Sequence, residues 1–107
     1  MSQPFESFWK ELTKDLKEKS LIRNWTKDKG YLTKGDFQTQ INGNYIICET
    51  PETRTIPRVP KIDMEFMYYH WSDYLEGRIS RKELTKGSRY TKYTISILQW
   101  YTDDGLG

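Results

Sequence analysis

Residues 37 to 49 read Phe37-Gln38-Thr39-Gln40-Ile41-Asn42-Gly43-Asn44-Tyr45-Ile46-Ile47-Cys48-Glu49, and this stretch decides the fold class. β-Branched and aromatic side chains favour extended chain. Asn42-Gly43-Asn44 falls between two such runs, where a tight turn needs residues that tolerate positive φ. The stretch predicts a hairpin of two antiparallel strands, 37–41 and 45–49. Leu21-Ile22-Arg23-Asn24-Trp25-Thr26 has the same texture and predicts a third strand, with 27–36, which carries Gly30 and Gly35, as the loop between. On the other side, Pro51, Pro57 and Pro60 withhold the amide protons a ladder needs. Residues 50–60 therefore read as an extended, Pro-rich connection that cannot hold regular pairing.

Helical spacing flanks this β region. Phe5, Phe8, Trp9, Leu12 and Leu16 recur at three- and four-residue steps among charged residues, which predicts an amphipathic helix over 5–19. Met64, Met67, Tyr68, Trp71, Tyr74 and Leu75 make a second stripe over 62–76, and Gly77 follows where a left-handed cap falls. Ser80 and Glu83 then form the capping-box pattern, with Ile79 and Leu84 as a hydrophobic staple.

The last segment, 90–101, is rich in strand-favouring Thr, Tyr and Ile. Its helical wheel nonetheless puts Tyr90, Tyr93, Ile97, Leu98 and Tyr101 on one side and Arg89, Lys92, Ser96 and Gln99 on the other, with Ser88 as cap. The expected architecture is α+β: an N-terminal helix, a three-stranded antiparallel sheet, and two or three C-terminal helices packed on it. At 107 residues the chain has the length of one domain, with the helix and strands in 1–49, the connection in 50–60 and the helical part in 61–107. Trp9, Leu12, Leu16, Ile46, Cys48, Met67, Trp71 and Ile97 are expected in its core.

The whole chain carries only +2, from 17 basic and 15 acidic side chains, so net charge is no argument for a polyanionic partner. Local charge is. Arg78, Arg81, Lys82, Lys86, Arg89 and Lys92 crowd residues 78–93 against Glu83, while 61–77 runs acidic with Asp63, Glu65, Asp73 and Glu76 against Lys61. Helix, cap, short helix, glycine, helix is the order of a helix-turn-helix module, which sets its last helix in the DNA major groove. The resemblance is one of layout alone, because the turn 84–88 is shorter than usual. It makes Arg78, Arg81, Lys82, Arg89, Lys92, Ser96 and Gln99 the candidate nucleic-acid-binding residues, toward DNA or RNA. The competing expectation is that the acidic residues of 61–77 pair with the basic ones and leave no patch.

Other chemistry has thinner support. His70 is the one histidine in the sequence, which excludes two-histidine metal sites; a small enzyme or ligand-binding protein built around it is the outside reading. No Gly-x-Ser-x-Gly elbow and no Gly-rich phosphate loop occurs. Asp36 and Glu49 lie on consecutive strand regions, as nuclease carboxylates can, but no lysine follows Glu49 at two residues. No catalytic residue, metal or cofactor is assigned.

Cys48 is alone and in an apolar run, which reads as a buried, inert thiol. The chain shows neither a secretory signal nor a membrane-spanning run, so a soluble, cytoplasmic protein is expected. The runner-up function is a protein-interaction adaptor using exposed Tyr and Trp rings. A homodimer through the aromatic faces of the C-terminal helices suits either reading.

Overall fold

The computed structural model describes residues 3–16, 20–50 and 56–103. It is an α+β fold in the order α1 (Phe5–Asp15), β1 (Ser20–Ile22), β2 (Trp25–Thr26), β3 (Gly30–Tyr31), β4 (Phe37–Asn42), β5 (Tyr45–Glu49), β6 (Arg58–Pro60), α2 (Lys61–Leu75), α3 (Arg81–Thr85) and α4 (Thr91–Asp103). The β4–β5 hairpin closes at Asn42 opposite Tyr45, with Gly43 at φ +61°. Alternation along β4 turns Phe37 and Thr39 inward and Gln38 and Gln40 out to solvent.

The sheet departs from expectation at both edges. It has four antiparallel strands in the order β1-β4-β5-β6 rather than three. The fourth comes from the Pro-rich connection, where Val59 lies opposite Ile46 and Pro60 opposite Tyr45. Proline is tolerated there because β6 is an edge strand, whose outer side has no ladder to feed. Pairing continues beyond it through Cys48 N–H to the Pro57 carbonyl (2.9 Å) and Lys61 N–H to the Asn44 carbonyl (2.8 Å). Residues 51–55 lie outside the described part.

The single strand expected over 21–26 is in fact two. β1 joins β4, while β2 turns away and pairs with β3, in the segment expected to be loop, as a separate two-stranded ribbon with Trp25 opposite Tyr31.

The helices fall close to their expected bounds. α1 ends at Asp15 with Leu16 at its C-terminal cap, and the last residues of the expected helix, 17–19, lie outside the described part. The Ser80–Glu83 capping box forms in full: Ser80 Oγ accepts from Glu83 N–H (3.2 Å) and the Glu83 carboxylate accepts from Ser80 N–H (3.2 Å). Ser88 caps the turn before α4, accepting from Tyr90 N–H (3.1 Å) while its hydroxyl donates to Asp63 (2.6 Å) in the first turn of α2. Helical periodicity prevailed over strand propensity in α4 because a helix gives its apolar residues three partners, namely α2, α3 and the inner face of the sheet.

All eight expected core residues are buried. The buried side chains form a cluster in which α1, α2 and α4 meet around aromatic rings. Phe8 packs on Tyr68 (4.5 Å between centroids) and edge-on to Tyr101 (4.9 Å), Phe37 of the sheet meets Tyr93 of α4 edge-on (5.0 Å), and Trp71 lies against Trp25 and Tyr74. The Tyr101 hydroxyl donates to Glu11 (2.5 Å) and the Tyr68 hydroxyl to the Gln3 carbonyl, so both polar tips are satisfied where the rings enter the core. Among the described residues no buried side-chain nitrogen or oxygen lacks a partner.

Two predictions follow from this packing. Trp71→Ala removes a ring that joins α2 to the β2–β3 ribbon and should cost about 3–5 kcal/mol, the range for deleting a large core aromatic; chemical denaturation measures it, and a loss well below 1 kcal/mol would contradict the assignment.

The second concerns alkaline pH. Burial pushes the Cys48 thiol up to about 12, and burial, followed by the hydrogen bond to Glu11, pushes the Tyr101 hydroxyl up to about 12. The unfolded chain releases these protons from about pH 8.5 for Cys and about 10 for Tyr. Stability is therefore fully present below about pH 8.5 and declines as pH rises toward 12. Melting temperature across that range should fall, and Cys48→Ala should flatten the first part of the fall. A flat profile for the wild type would contradict the burial of both groups.

Candidate nucleic-acid interface

Seven residues, Arg78, Arg81, Lys82, Arg89, Lys92, Ser96 and Gln99, are candidates from the sequence, and the structure places them in different surroundings. Arg78 forms ion pairs, with Nε 2.7 Å from Asp73 and a terminal nitrogen on Glu76. The Asp73 hydrogen bond, followed by Glu76, holds its guanidinium above the ordinary arginine range. Its charge is matched locally by the two carboxylates and is not available as an unpaired cation.

Ser96 is buried at 1% exposure. Its hydroxyl oxygen accepts the Trp25 N–H of β2 at 3.1 Å. The polar side that the wheel assigned to a ligand is therefore occupied by this chain's own ribbon. Gln99 and Lys92 on the same helix are half-buried, and no residue from Thr91 to Thr102 is exposed. A helix that reads a DNA groove needs one free face. α4 has none, so the helix-turn-helix order of the sequence does not extend to a reading helix. The physical reason is that α4 packs on α2, α3, β1 and β2 together.

A further group is cationic and unpaired. Arg81 and Lys82 open α3, Lys86 follows it, and Arg89 precedes α4; Lys82, Lys86 and Arg89 are exposed and Arg81 is half-buried. None of the four forms an ion pair with a described residue. Of the acidic residues that the sequence set against them, Asp73 and Glu76 hold Arg78 and Asp63 holds the Ser88 hydroxyl, while Glu65 lines a groove with Tyr45 and Ile62; Glu83, within the basic stretch, closes the capping box.

Lys92 belongs to a neighbouring cationic group that sequence reasoning missed. Its ammonium reaches the segment after β3, 3.2 Å from where a Cβ on Gly35 would stand, and Gly35 has φ +91°. Around that segment lie exposed Arg23, Lys27, Lys29 and Lys34, the last tied in place by the Asn24 side chain on its carbonyl (3.0 Å). Lys27 Nζ in turn comes within 3.3 Å of the Cβ position of Gly77, between α2 and α3. The segment after β3 is thus approached by Lys92 of the basic segment, and Lys27 of the ribbon's turn approaches Gly77, just before that segment begins. The signal available in the sequence was the run of lysines in 27–34; what concealed it was reading 27–36 as a plain loop.

The remaining candidates carry less. His70 Nδ1 donates to the Phe66 carbonyl (2.7 Å) and its ring lies tilted against Phe66 (4.4 Å between centroids), so it packs along its own helix. Asp36 and Glu49 line one groove of about 300 Å³ with Leu21, Phe37, Gln38 and Thr50; one Asp36 oxygen accepts the Asn24 N–H (2.9 Å). Among the described residues no group of three or more His, Cys, Asp or Glu is placed to hold a metal ion, and no helix is long and apolar enough to cross a membrane. Of the aromatic rings on α2 and α4, Trp71, Tyr74 and Tyr101 are buried in this chain's core, while Tyr69 is exposed. No protein-family model, curated protein or solved structure matches the chain.

The Ser96 contact makes its own prediction. Ser96→Ala leaves the Trp25 amide without its acceptor and should destabilise the fold by about 1–3 kcal/mol, read by denaturation. An unchanged midpoint would mean that β2 is not held to α4 by this bond.

Proposed function

We propose that this is a non-enzymatic nucleic-acid-binding or regulatory protein that uses the basic rim at the starts of α3 and α4. The observation that carries the reading is the unequal pairing of the basic segment. Arg78 is neutralised by Asp73 and Glu76, whereas Arg81, Lys82, Lys86 and Arg89 have no ion-pair partner among the described residues. Unpaired cations on one short segment, three of them exposed and Arg81 half-buried, release counterions when they meet a phosphate backbone, which supplies sequence-independent affinity. With α4 covered, the contacts are to phosphate, and Lys92 and Gln99 serve at the margin of the rim rather than as base readers. A cytoplasmic setting, with Cys48 kept as a free thiol, suits such a protein.

A second reading rests on a different face. Ile62, 70% exposed, lines a shallow groove with Tyr45 and Pro60, and Tyr69, 63% exposed, follows two helical turns along α2. Such a surface suits an adaptor whose partner is another protein or a second copy of this chain.

Anisotropy of a labelled oligonucleotide across a salt series separates the two. Wild type should bind at low salt, and Arg81→Ala, Lys82→Ala and Arg89→Ala should each lower the salt slope by about 0.7–0.9. Arg78→Ala and Ile62→Glu should leave it unchanged. No binding at low salt, or an equal effect from Arg78→Ala, would overturn the first reading.

A further inference from the structure

We infer that the β2–β3 ribbon is a base-stacking platform and that the ligand of the basic rim is single-stranded nucleic acid. The inference rests on the nucleic-acid reading above and names its ligand class. The Arg23 guanidinium lies over the Tyr31 ring, 4.5 Å from its centroid, and both side chains are exposed, Tyr31 at 39%. A planar cation over an aromatic ring presents a flat surface on which a nucleobase stacks, and because every base has a π face such a platform is tolerant of sequence.

The charge around it complements a phosphate strand. Between residues 23 and 36, Arg23, Lys27, Lys29 and Lys34 stand against Asp28 and Asp36, and one Asp36 oxygen is turned inward to the Asn24 amide. Lys92 adjoins this group at Gly35, and Lys27 adjoins the basic segment at Gly77. The two approaches bring this group to positions 77 and 92, which flank Arg81 and Arg89 in the chain.

Geometry favours unpaired bases over a duplex. A two-stranded ribbon can enter a major groove only if it projects from the body. This one is pinned flat by its own amides: Trp25 N–H to Ser96 Oγ (3.1 Å) and Lys27 N–H to the Tyr74 hydroxyl (3.2 Å). Lys29 N–H turns back to Thr26 Oγ1 (3.2 Å) and tightens the turn. No residue of α4 through Thr102 is exposed to serve instead. In a duplex the base faces are hidden in the stack, where Arg23 and Tyr31 have nothing to meet.

The test uses the full chain and three probes of equal length: a thymidine oligonucleotide, the same strand with abasic sugars, and a duplex. The thymidine strand should bind more tightly than the duplex, and about tenfold more tightly than the abasic strand. Tyr31→Ala should lose about tenfold on the thymidine strand and nothing on the abasic one. Tyr31→Phe should retain binding, and Arg23→Lys should weaken it without changing the salt slope. Equal affinity of wild type for thymidine and abasic strands, or tighter binding of the duplex, would overturn the platform and leave the rim standing. Failure of wild type to bind any probe at low salt would overturn both.

Discussion

The hydrogen bond from Trp25 N–H to Ser96 Oγ is the contact on which the arrangement of this protein turns. α4 runs through the molecule with neighbours on most sides, yet it carries Thr91, Thr94 and Ser96, all of them buried. A buried hydroxyl needs a partner. Thr94 finds one in its own helix, at the Tyr90 carbonyl (3.2 Å). Ser96 finds one in a strand 71 residues away in sequence. That bond lets a helix with a polar stripe be covered without leaving an orphaned group, and it holds the β2–β3 ribbon against the body. Covering α4 removes the face that a groove-reading helix requires. The same contact gives the ribbon a fixed place, with its cations beside the basic segment of 78–93.

Much of the fold was legible because local chemistry and tertiary packing agree. Asn42-Gly43-Asn44 supplies the positive φ of the turn that the strands on either side need. Ser80 and Glu83 satisfy each other within four residues, so no distant part of the chain is required to make α3 start there. The apolar stripe of α1 faces the core it implied, and so does that of α2 apart from Leu75, which is exposed at the helix end. Less legible were elements whose existence depends on a partner. β6 is three residues long, follows Pro57 and ends on Pro60, and is a strand only because β5 offers it an edge. β3 is two residues in a stretch of Gly, Lys and Asp, and it exists through pairing with β2.

The candidate site was partly legible for a related reason. A helical wheel sorts side chains by polarity, and serine counts as polar whether it faces water or a backbone amide. Ser96 was therefore grouped with Arg89 and Lys92, although the structure places the first in the core, the second on the rim and the third against the ribbon. The reversal of charge between 61–77 and 78–93 was visible in sequence, but its outcome was not. Only Arg78 is taken up by the acidic side, because it directly follows α2, where Asp73 and Glu76 are within reach; Asp63 and Glu83 are engaged by helix caps. Exposed ion pairs of this kind contribute little stability, and their consequence here is electrostatic: they decide which cations remain unpaired.

The most direct measurement of whether the covered helix, the ribbon and the rim act as described is residue-by-residue NMR of the backbone amides during titration with a single-stranded oligonucleotide at low salt. Shifts are expected at Arg23, Tyr31, Lys34, Arg81, Lys82 and Arg89, with Ser96, Ile97 and Leu98 unmoved beneath the ribbon. Shifts centred on Ile97 and Leu98, or on Ile62 and Tyr69 of α2, would contradict it.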